Sequence, residues 1–293
     1  MITELRTFLA VARLGTFAGA GDAIGLTQSA VSSQMRRLEA HFGQSLFDRT
    51  GRSSALNAAG QALVPQAGQL LRQFDLLGQD DPAHSAPARL TIGAIATAQS
   101  SLLVPALLRL RGQHPQTQVQ VVPGTSMELL DQLDTGALDA ALIIRPPFGV
   151  DPQLLWQPLV QEPYALLAPA RLPRQGWREL LQTQPFIRYD RRSFGGRMVD
   201  RFLRQAQLAP HEITELDDLP SLLALVAQGA GVAIAPLAAA LQPLPEAVRV
   251  LPLGEPPFHR EVGLLRQRQA APPPALQALA QALETLAKPG FPA

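Results

Sequence analysis

Apolar positions in the first 43 residues recur at helical spacing and are cut into short runs. Ile2, Leu5, Phe8, Leu9, Val11 and Ala12 keep to one face of a helix that stops at Gly15. Thr16 is placed to cap a second helix carrying Phe17, Ala20, Ala23 and Ile24, which closes at Gly25. Thr27 is placed to cap a third, running to Phe42 and Gly43, on which Val31, Met35, Leu38 and Phe42 form one stripe that predicts a core-facing side. Only Gly25-Leu26-Thr27 separates the second helix from the third, the spacing of a helix-turn-helix. Ser45-Leu46-Phe47 and Ala55-Leu56 then flank a basic, Gly-containing tip, which predicts a small hairpin, or wing. Asn57 is placed to cap a long helix with Leu63, Ala67, Leu70, Phe74 and Leu77 at steps of 4, 3, 4 and 3 residues. That a/d seam belongs to a helix that pairs with another helix, and Pro65 within it is expected to kink the first turns. Residues 79–88 are polar and Pro-rich, which predicts a hinge.

From residue 89 the pattern alternates between strand and helix. Leu90–Ile95, Gln118–Val122 and Ala140–Ile144 read as strands, with helices over Ser100–Arg111 and Met127–Thr135 between them. A comparable set follows: strand Phe186–Arg188, helices Gly196–Gln207 and Leu219–Gln228, and strand Gly231–Ala235. Alternation of this kind predicts a mainly parallel sheet with helices on both faces, here in two lobes. The strand-like segments 154–169 and 260–266 are natural crossovers, and a last helix, about 274–286, is expected to return to the first lobe.

Composition adds exclusions. A hydrophobic content of 46% with only 17% charged residues suits buried cores and not a disordered chain. The net charge of +1 is uninformative, but residues 1–57 hold six arginines (6, 13, 36, 37, 49, 52) against four acids (4, 22, 39, 48), which permits phosphate contact. Cysteine is absent, which excludes disulfides, thiolate zinc sites and a cysteine nucleophile. The five histidines are scattered with no i, i+4 pair, so neither a metal nor another cofactor is expected. Gly19–Gly25 lacks the preceding strand of a dinucleotide loop, Gly229-Ala230-Gly231 precedes a strand instead of following one, and there is no Gly-x-Ser-x-Gly elbow. An enzyme is therefore not expected. The first residues show no basic stretch followed by an apolar core, and the apolar run 230–244 is broken by Pro236 and Pro243. That run falls short of the ~20 residues a span needs, so a cytoplasmic protein without membrane contact is expected.

Opposite the apolar stripe, the third helix carries Gln28, Ser29, Ser32, Ser33, Arg36 and Arg37. Small hydroxyls let a helix backbone approach a major groove closely; Gln can pair bidentately with adenine, and Arg can reach guanine or phosphate. Across this region Phe17, Ala20, Leu26, Thr27-Gln28-Ser29-Ala30-Val31-Ser32, Gln34, Arg36-Arg37-Leu38-Glu39, Gly43, Leu46-Phe47, Arg49, Leu56 and Gly60 keep one order and spacing. In this the chain resembles the LysR-type transcriptional regulators. The likeness continues more weakly through Pro185-Phe186-Ile187 and Leu225–Pro236. The resemblance implies an α+β multidomain protein: a winged helix-turn-helix over 1–57, a linker helix and hinge over 58–88, and a two-lobed α/β effector domain, like a periplasmic binding protein, over 89–293. The lobes would comprise about 89–161 with 267–293, and about 162–266. It also implies a homodimer or tetramer joined through helix 58–78 on a palindromic-like operator in double-stranded DNA, and RNA polymerase is expected as a further partner at the promoter. Its usual base-contacting positions fall on Gln28, Ser29, Ser32 and Ser33 and its wing arginine on Arg52, with Thr27, Arg36, Arg37 and Arg49 beside them. Among departures, Gly21 stands where Ala is usual, an expected cost of about 0.5–1 kcal/mol of helix stability.

Family folds place a small-molecule effector between the two lobes, and open parallel sheets likewise bind ligands beyond the carboxyl ends of their strands. Three loops follow predicted strands. The first holds Thr97, Gln99, Ser100 and Ser101, the second Thr125 and Ser126, and the third Arg145 and Phe148. The second lobe adds Arg188 and Phe194 within a run of basic residues, which points to a carboxylate-bearing effector. A solute-binding protein would fit residues 89–293 alone, but not the helix-turn-helix before them.

Overall fold

Three short helices open the chain: α1 (Ile2–Leu14), α2 (Phe17–Ile24) and α3 (Gln28–Phe42), each followed by a glycine in the left-handed region. Thr16 accepts the Gly19 N–H and Thr27 the Ala30 N–H, so both N-caps expected from sequence form. The structure, a computed structural model, describes residues 1–48, 55–76, 89–254, 258–269 and 271–287. It packs as two units, Met1–Pro87 with Asp134–Ala137, and Ala88–Leu133 with Leu138–Ala293.

In the first unit Leu5, Phe8 and Val11 of α1 meet Ala20 of α2 and Val31, Met35 and Leu38 of α3. Phe47 closes the cluster with its ring edge-on to Phe8 and Phe17, at 6.0 and 5.2 Å. Each large side chain buried here contributes about 1.5–3 kcal/mol. Phe42 departs from the expected core stripe: it is 40% exposed, because the last turn of α3 runs beyond the part covered by its neighbours. Gly21 also departs from expectation. A Cβ there would lie 2.5 Å from the Leu26 carbonyl oxygen, so the tight α2–α3 turn needs the missing side chain.

The base of the wing is one antiparallel bridge, Phe47 to Leu56, with the Asp48 N–H donating to the Ala55 carbonyl at 2.9 Å. Arg49 and Arg52 lie outside the described residues. Asn57 caps α4 (Ala58–Leu76) by accepting the Gly60 N–H, while its amide donates to the Ser45 carbonyl. Helix α4 runs through Pro65 as one element. Val64, Ala67 and Leu71 join the core of the unit, Leu63 is half-buried, and Leu70 and Phe74 stay exposed. Leu77 and the hinge residues 79–88 lie outside the described residues.

The second unit runs β1 (Arg89–Ala94), α5 (Ala96–Ala98), a π-turn (Gln99–Leu103), α6 (Val104–Gln113), β2 (Gln118–Pro123), α7 (Ser126–Asp134) and β3 (Ala140–Ile144). It continues through β4 (Leu154–Pro169), α8 (Trp177–Thr183), β5 (Phe186–Tyr189), α9 (Phe194–Gln205), β6 (Glu212–Leu216) and α10 (Leu219–Ala227). After β7 (Ala233–Pro236) come a 3-10 turn (Ala239–Leu241), β8 (Val248–Pro252), β9 (His259–Gln267) and α11 (Pro274–Ala287). Sequence patterning passes over α8, β6 and β8. Helix α8 is a two-turn element, and β6 is exposed on both faces for most of its length, so neither shows the periodicity that identifies an element.

The main sheet has the order β2-β1-β3-β9-β4-β7, with β8 also on β4. It corrects the expected mainly parallel arrangement: β1 is parallel to β2 and β3, whereas β3–β9, β4–β9, β4–β7 and β4–β8 are all antiparallel. Alternation of strand and helix reports local crossovers, but β9 returns from more than a hundred residues away and its direction is invisible locally. Strand β4 pairs with β9 as far as Pro163↔His259 and with β7 from Tyr164↔Pro236 onward. It thereby serves two cores, one around Ile92, Leu142, Leu264 and Leu279, the other around Leu166, Phe186, Leu222 and Ile234. Helix α11 packs into the first core, as the sequence pattern anticipates.

Candidate functional site

Two surfaces carry chemistry, one in each unit. On α3, Gln28, Ser29, Ser33, Arg36 and Arg37 are exposed and Ser32 is half-exposed, on the side opposite Val31, Met35 and Leu38. Thr27 spends its Oγ1 on the helix cap and shares a 3.0 Å hydrogen bond with the Ser29 hydroxyl. That bond fixes the first turn. Arg36 reaches the Ser32 hydroxyl at 3.5 Å, and Arg37 lies 3.3 Å from Glu4. Glu4 also accepts from the chain's amino terminus, and that hydrogen bond is the chief reason its pKa is lowered. Exposed pairs such as Arg37–Glu4 are worth about 0–1 kcal/mol, so a phosphate could displace the carboxylate.

In the second unit a cavity of about 350 Å³ lies beyond the carboxyl ends of β1, β2, β3, β5 and β6. From the side of the first core come Ile95, Thr97, Ser100, Thr125, Ser126, Glu128 and Ile144, with Phe194 of α9 packed into that core; from the side of the second come Tyr189, Ser193, Asp217 and Leu219. Arg260 of β9 joins them. Gly196 makes the second wall possible, because a Cβ there would collide with the Asp190 carbonyl oxygen at 1.9 Å and push α9 off the end of β5.

Arg260 is 1% exposed and sits directly across from Glu162 in the β4–β9 ladder. Its Nε donates to the Glu162 carboxylate at 2.6 Å and its Nη2 to the Thr97 hydroxyl at 3.0 Å. Burial is the largest single influence and opposes the guanidinium charge, yet the Glu162 carboxylate together with the Tyr189 and Tyr164 phenols leaves the pKa raised. Burial likewise pushes the phenols of Tyr164 and Tyr189 up, so both stay neutral. At the rim, the Thr125 N–H and hydroxyl both donate to Glu128 Oε2, at 2.9 and 3.0 Å, which holds the Glu128 carboxyl below its ordinary value. Asp217 moves the other way: burial first, then the charge of Asp190, raises its pKa.

Of the residues expected from sequence at an effector site, Thr97, Ser100, Thr125, Ser126 and Phe194 line this cavity. Gln99 instead donates to the Ala94 carbonyl, and the Ser101 hydroxyl turns back to the Thr97 carbonyl. Arg145 is 58% exposed and paired with Glu261. Arg188 is buried among Glu212 and Asp200, away from the cavity. Phe148 stands edge-on to Phe194, 5.8 Å away, without lining the space. Sequence reading missed Glu128, Tyr189, Asp217 and Arg260. Only Glu128 carried a signal, the capping box Thr125-x-x-Glu128. Arg260 and Glu162 are 98 residues apart and have none.

The LysR substrate binding domain model matches residues 83–288, and the model for the bacterial regulatory helix-turn-helix protein, lysR family, matches residues 2–61. The HTH-type transcriptional regulator DgdR of Burkholderia cepacia is 35% identical over 154 residues, covering 53% of this chain and 52% of that protein, so the match spans about half of each. The HTH-type transcriptional activator IlvY of Salmonella typhimurium is 27% identical over 291 residues, 94% of this chain and 97% of that protein. A full-length OxyR variant from Pseudomonas aeruginosa has a similar structure, with a TM-score of 0.69 at 27% identity over 97% of this chain and 94% of that one. With an exposed polar face on a capped helix-turn-helix, a strand-end cavity in the larger unit, and both family models matched in order, this chain belongs to the LysR family of DNA-binding transcriptional regulators.

Proposed function

We propose that this regulator is gated by a small molecule bound in the cavity floored by Arg260. The observation that carries the reading is the cavity's construction. Its walls come from both cores and its floor from a crossover strand, so one ligand touches every part that moves if the lobes rotate. Its volume of about 350 Å³ falls near the small end of ligand sites, about 300–1,000 Å³. A change in lobe angle would alter the geometry of paired chains and hence the spacing of their DNA-binding heads. In this reading the chains join through helix 58–78, and the functional boundaries fall at 1–57, 58–88 and 89–293.

On DNA, Gln28, Ser29, Ser32 and Ser33 would meet base edges. Thr27, Arg36, Arg37 and Arg49 would meet the backbone, and Arg52 the minor groove or a phosphate. Bound at a promoter, the protein would meet RNA polymerase. An effector carboxylate, if present, would share Arg260 with Glu162 and draw on the Thr97 and Ser100 hydroxyls. These 293 residues contain no cysteine, so the signal is not thiol oxidation.

Electrophoretic shift on the DNA upstream of its own gene tests the first half. The wild-type protein should give a sequence-specific shift, and Gln28→Ala should weaken it roughly 5- to 150-fold, the equivalent of about 1–3 kcal/mol for a lost bidentate base contact. Unchanged affinity in a folded Gln28→Ala protein would remove that residue from base reading.

A further inference from the structure

We propose that the effector carries a cationic amine or guanidinium, held between Glu128 on one side of the cavity and Asp217 on the other. The inference rests on reading the cavity as the effector site and follows from its charge balance. Among the described residues three charged side chains line it: Glu128, Asp217 and Arg260. Arg260 is already neutralised by the buried Glu162 carboxylate at 2.6 Å, which leaves two carboxylates, with the exposed Arg192 as the cation acting on Asp217.

Neither carboxylate is consumed by its surroundings. Both hydrogen bonds to Glu128 fall on Oε2, so Oε1 keeps its lone pairs for an incoming donor. Around Asp217 the chain supplies further acids, Asp190 and Asp218, and Asp217 also feels the charge of Glu128 itself. The cation nearby is Arg192, whose Nε and Nη2 are both spent on Asp190. Asp218 does not line the cavity; its Oδ2 caps α10 through the Ser221 N–H.

Three of the helix starts facing the cavity are occupied by side chains, while that of α5, at Ile95 and Ala96, carries no side-chain cap. Glu128 and Thr125 occupy the start of α7, Ser193 caps α9 through the Gly196 N–H, and Asp218 caps α10. A positive group thus meets two carboxylates, whereas a negative one meets the start of α5 and an Arg260 already paired with Glu162. Among the described residues no cluster of three or more His, Asp or Glu could hold a metal ion, which favours an organic cation. Ile144 and Leu219 provide apolar walls for a short hydrocarbon body.

Placement gives the charge a consequence. Glu128 lies in the first turn of α7 in the lobe of the first core, and Asp217 leads into α10 in the lobe of the second. Their repulsion acts across the cleft. A cation between them would remove it and draw the two walls together.

The test is isothermal titration of the full-length protein with a panel of pentylamine, 1,5-diaminopentane, 5-aminopentanoate, L-arginine, agmatine and pentanoate. It is repeated with Asp217→Asn, Glu128→Gln and the cavity-filling Ala240→Trp, each checked for cooperative unfolding. Binding of at least one amine or guanidinium at one per chain, lost in Ala240→Trp and weakened at least tenfold in both charge variants, supports the proposal. Pentanoate binding alone, blocked by Ala240→Trp but unchanged or tightened in Asp217→Asn, overturns the cation while leaving the cavity as the effector site. Binding that survives Ala240→Trp overturns both readings, and a panel in which no amine or guanidinium binds overturns the cation.

Discussion

Gly21 and Arg260 show how much a single position can depend on contacts remote from its own helix or strand. An alanine at 21 would gain about 0.5–1 kcal/mol of helix propensity. Its Cβ, however, would lie 2.5 Å from the Leu26 carbonyl oxygen, which is backbone and cannot turn aside. Overpacking of this kind costs about 1–3 kcal/mol, so Gly21→Ala should lower the stability of the N-terminal unit, as urea denaturation followed by circular dichroism would register. A gain in stability would show that the turn relaxes freely. Arg260 and Glu162 are both buried, and removing one leaves the other charge unmatched. Glu162→Ala should cost about 3–5 kcal/mol in the C-terminal unit, read as a lowered denaturation midpoint with an unchanged slope.

At the scale of the element, α4 works on two sides. Val64, Ala67 and Leu71 hold it to the first unit, while Leu70 at 48% and Phe74 at 46% exposure remain uncovered one turn apart. Exposed side chains of this size at i, i+4 spacing form the start of a seam that a second helix would cover. Phe74→Glu would bury a charge in any such seam, and light scattering after size-exclusion chromatography should show its assembly state fall relative to wild type. An unchanged mass would place the contact between chains elsewhere. Strand β4 is the other element with a double role. By changing partner between Pro163 and Tyr164 it ties two cores to one backbone, and Glu162 lies one residue before that change.

For the whole molecule, the net charge of +1 hides a basic N-terminal surface, and salt dependence is where that should show. If each protomer neutralises about four phosphates, the log–log slope of affinity against salt for a dimer would be about −7. Gln28→Ala should weaken binding to the specific site without changing that slope, because a base contact releases no counterion. A slope near −2, measured by fluorescence anisotropy on the same duplex, would contradict so extensive a phosphate footprint.

Sequence alone determined whatever depends on neighbours in the chain. The caps at Thr16, Thr27 and Asn57 and the strands 140–144 and 154–169 follow from local hydrogen bonding and periodicity, and the structure has them where the pattern puts them. The capping box at Thr125 and Glu128 was equally local and could have been read. Tertiary structure alone decided the rest. It set the antiparallel return of β9, the exposure of Phe42 and the need for glycine at 21. It also assembled the cavity, where Arg145 and Arg188 are drawn off by acids far away in sequence and Arg260 is brought to Thr97 across 163 residues. Periodicity tells which face of an element is apolar; which charges meet, and so which sign of ligand the cavity favours, depends on distances that exist only after the chain has folded.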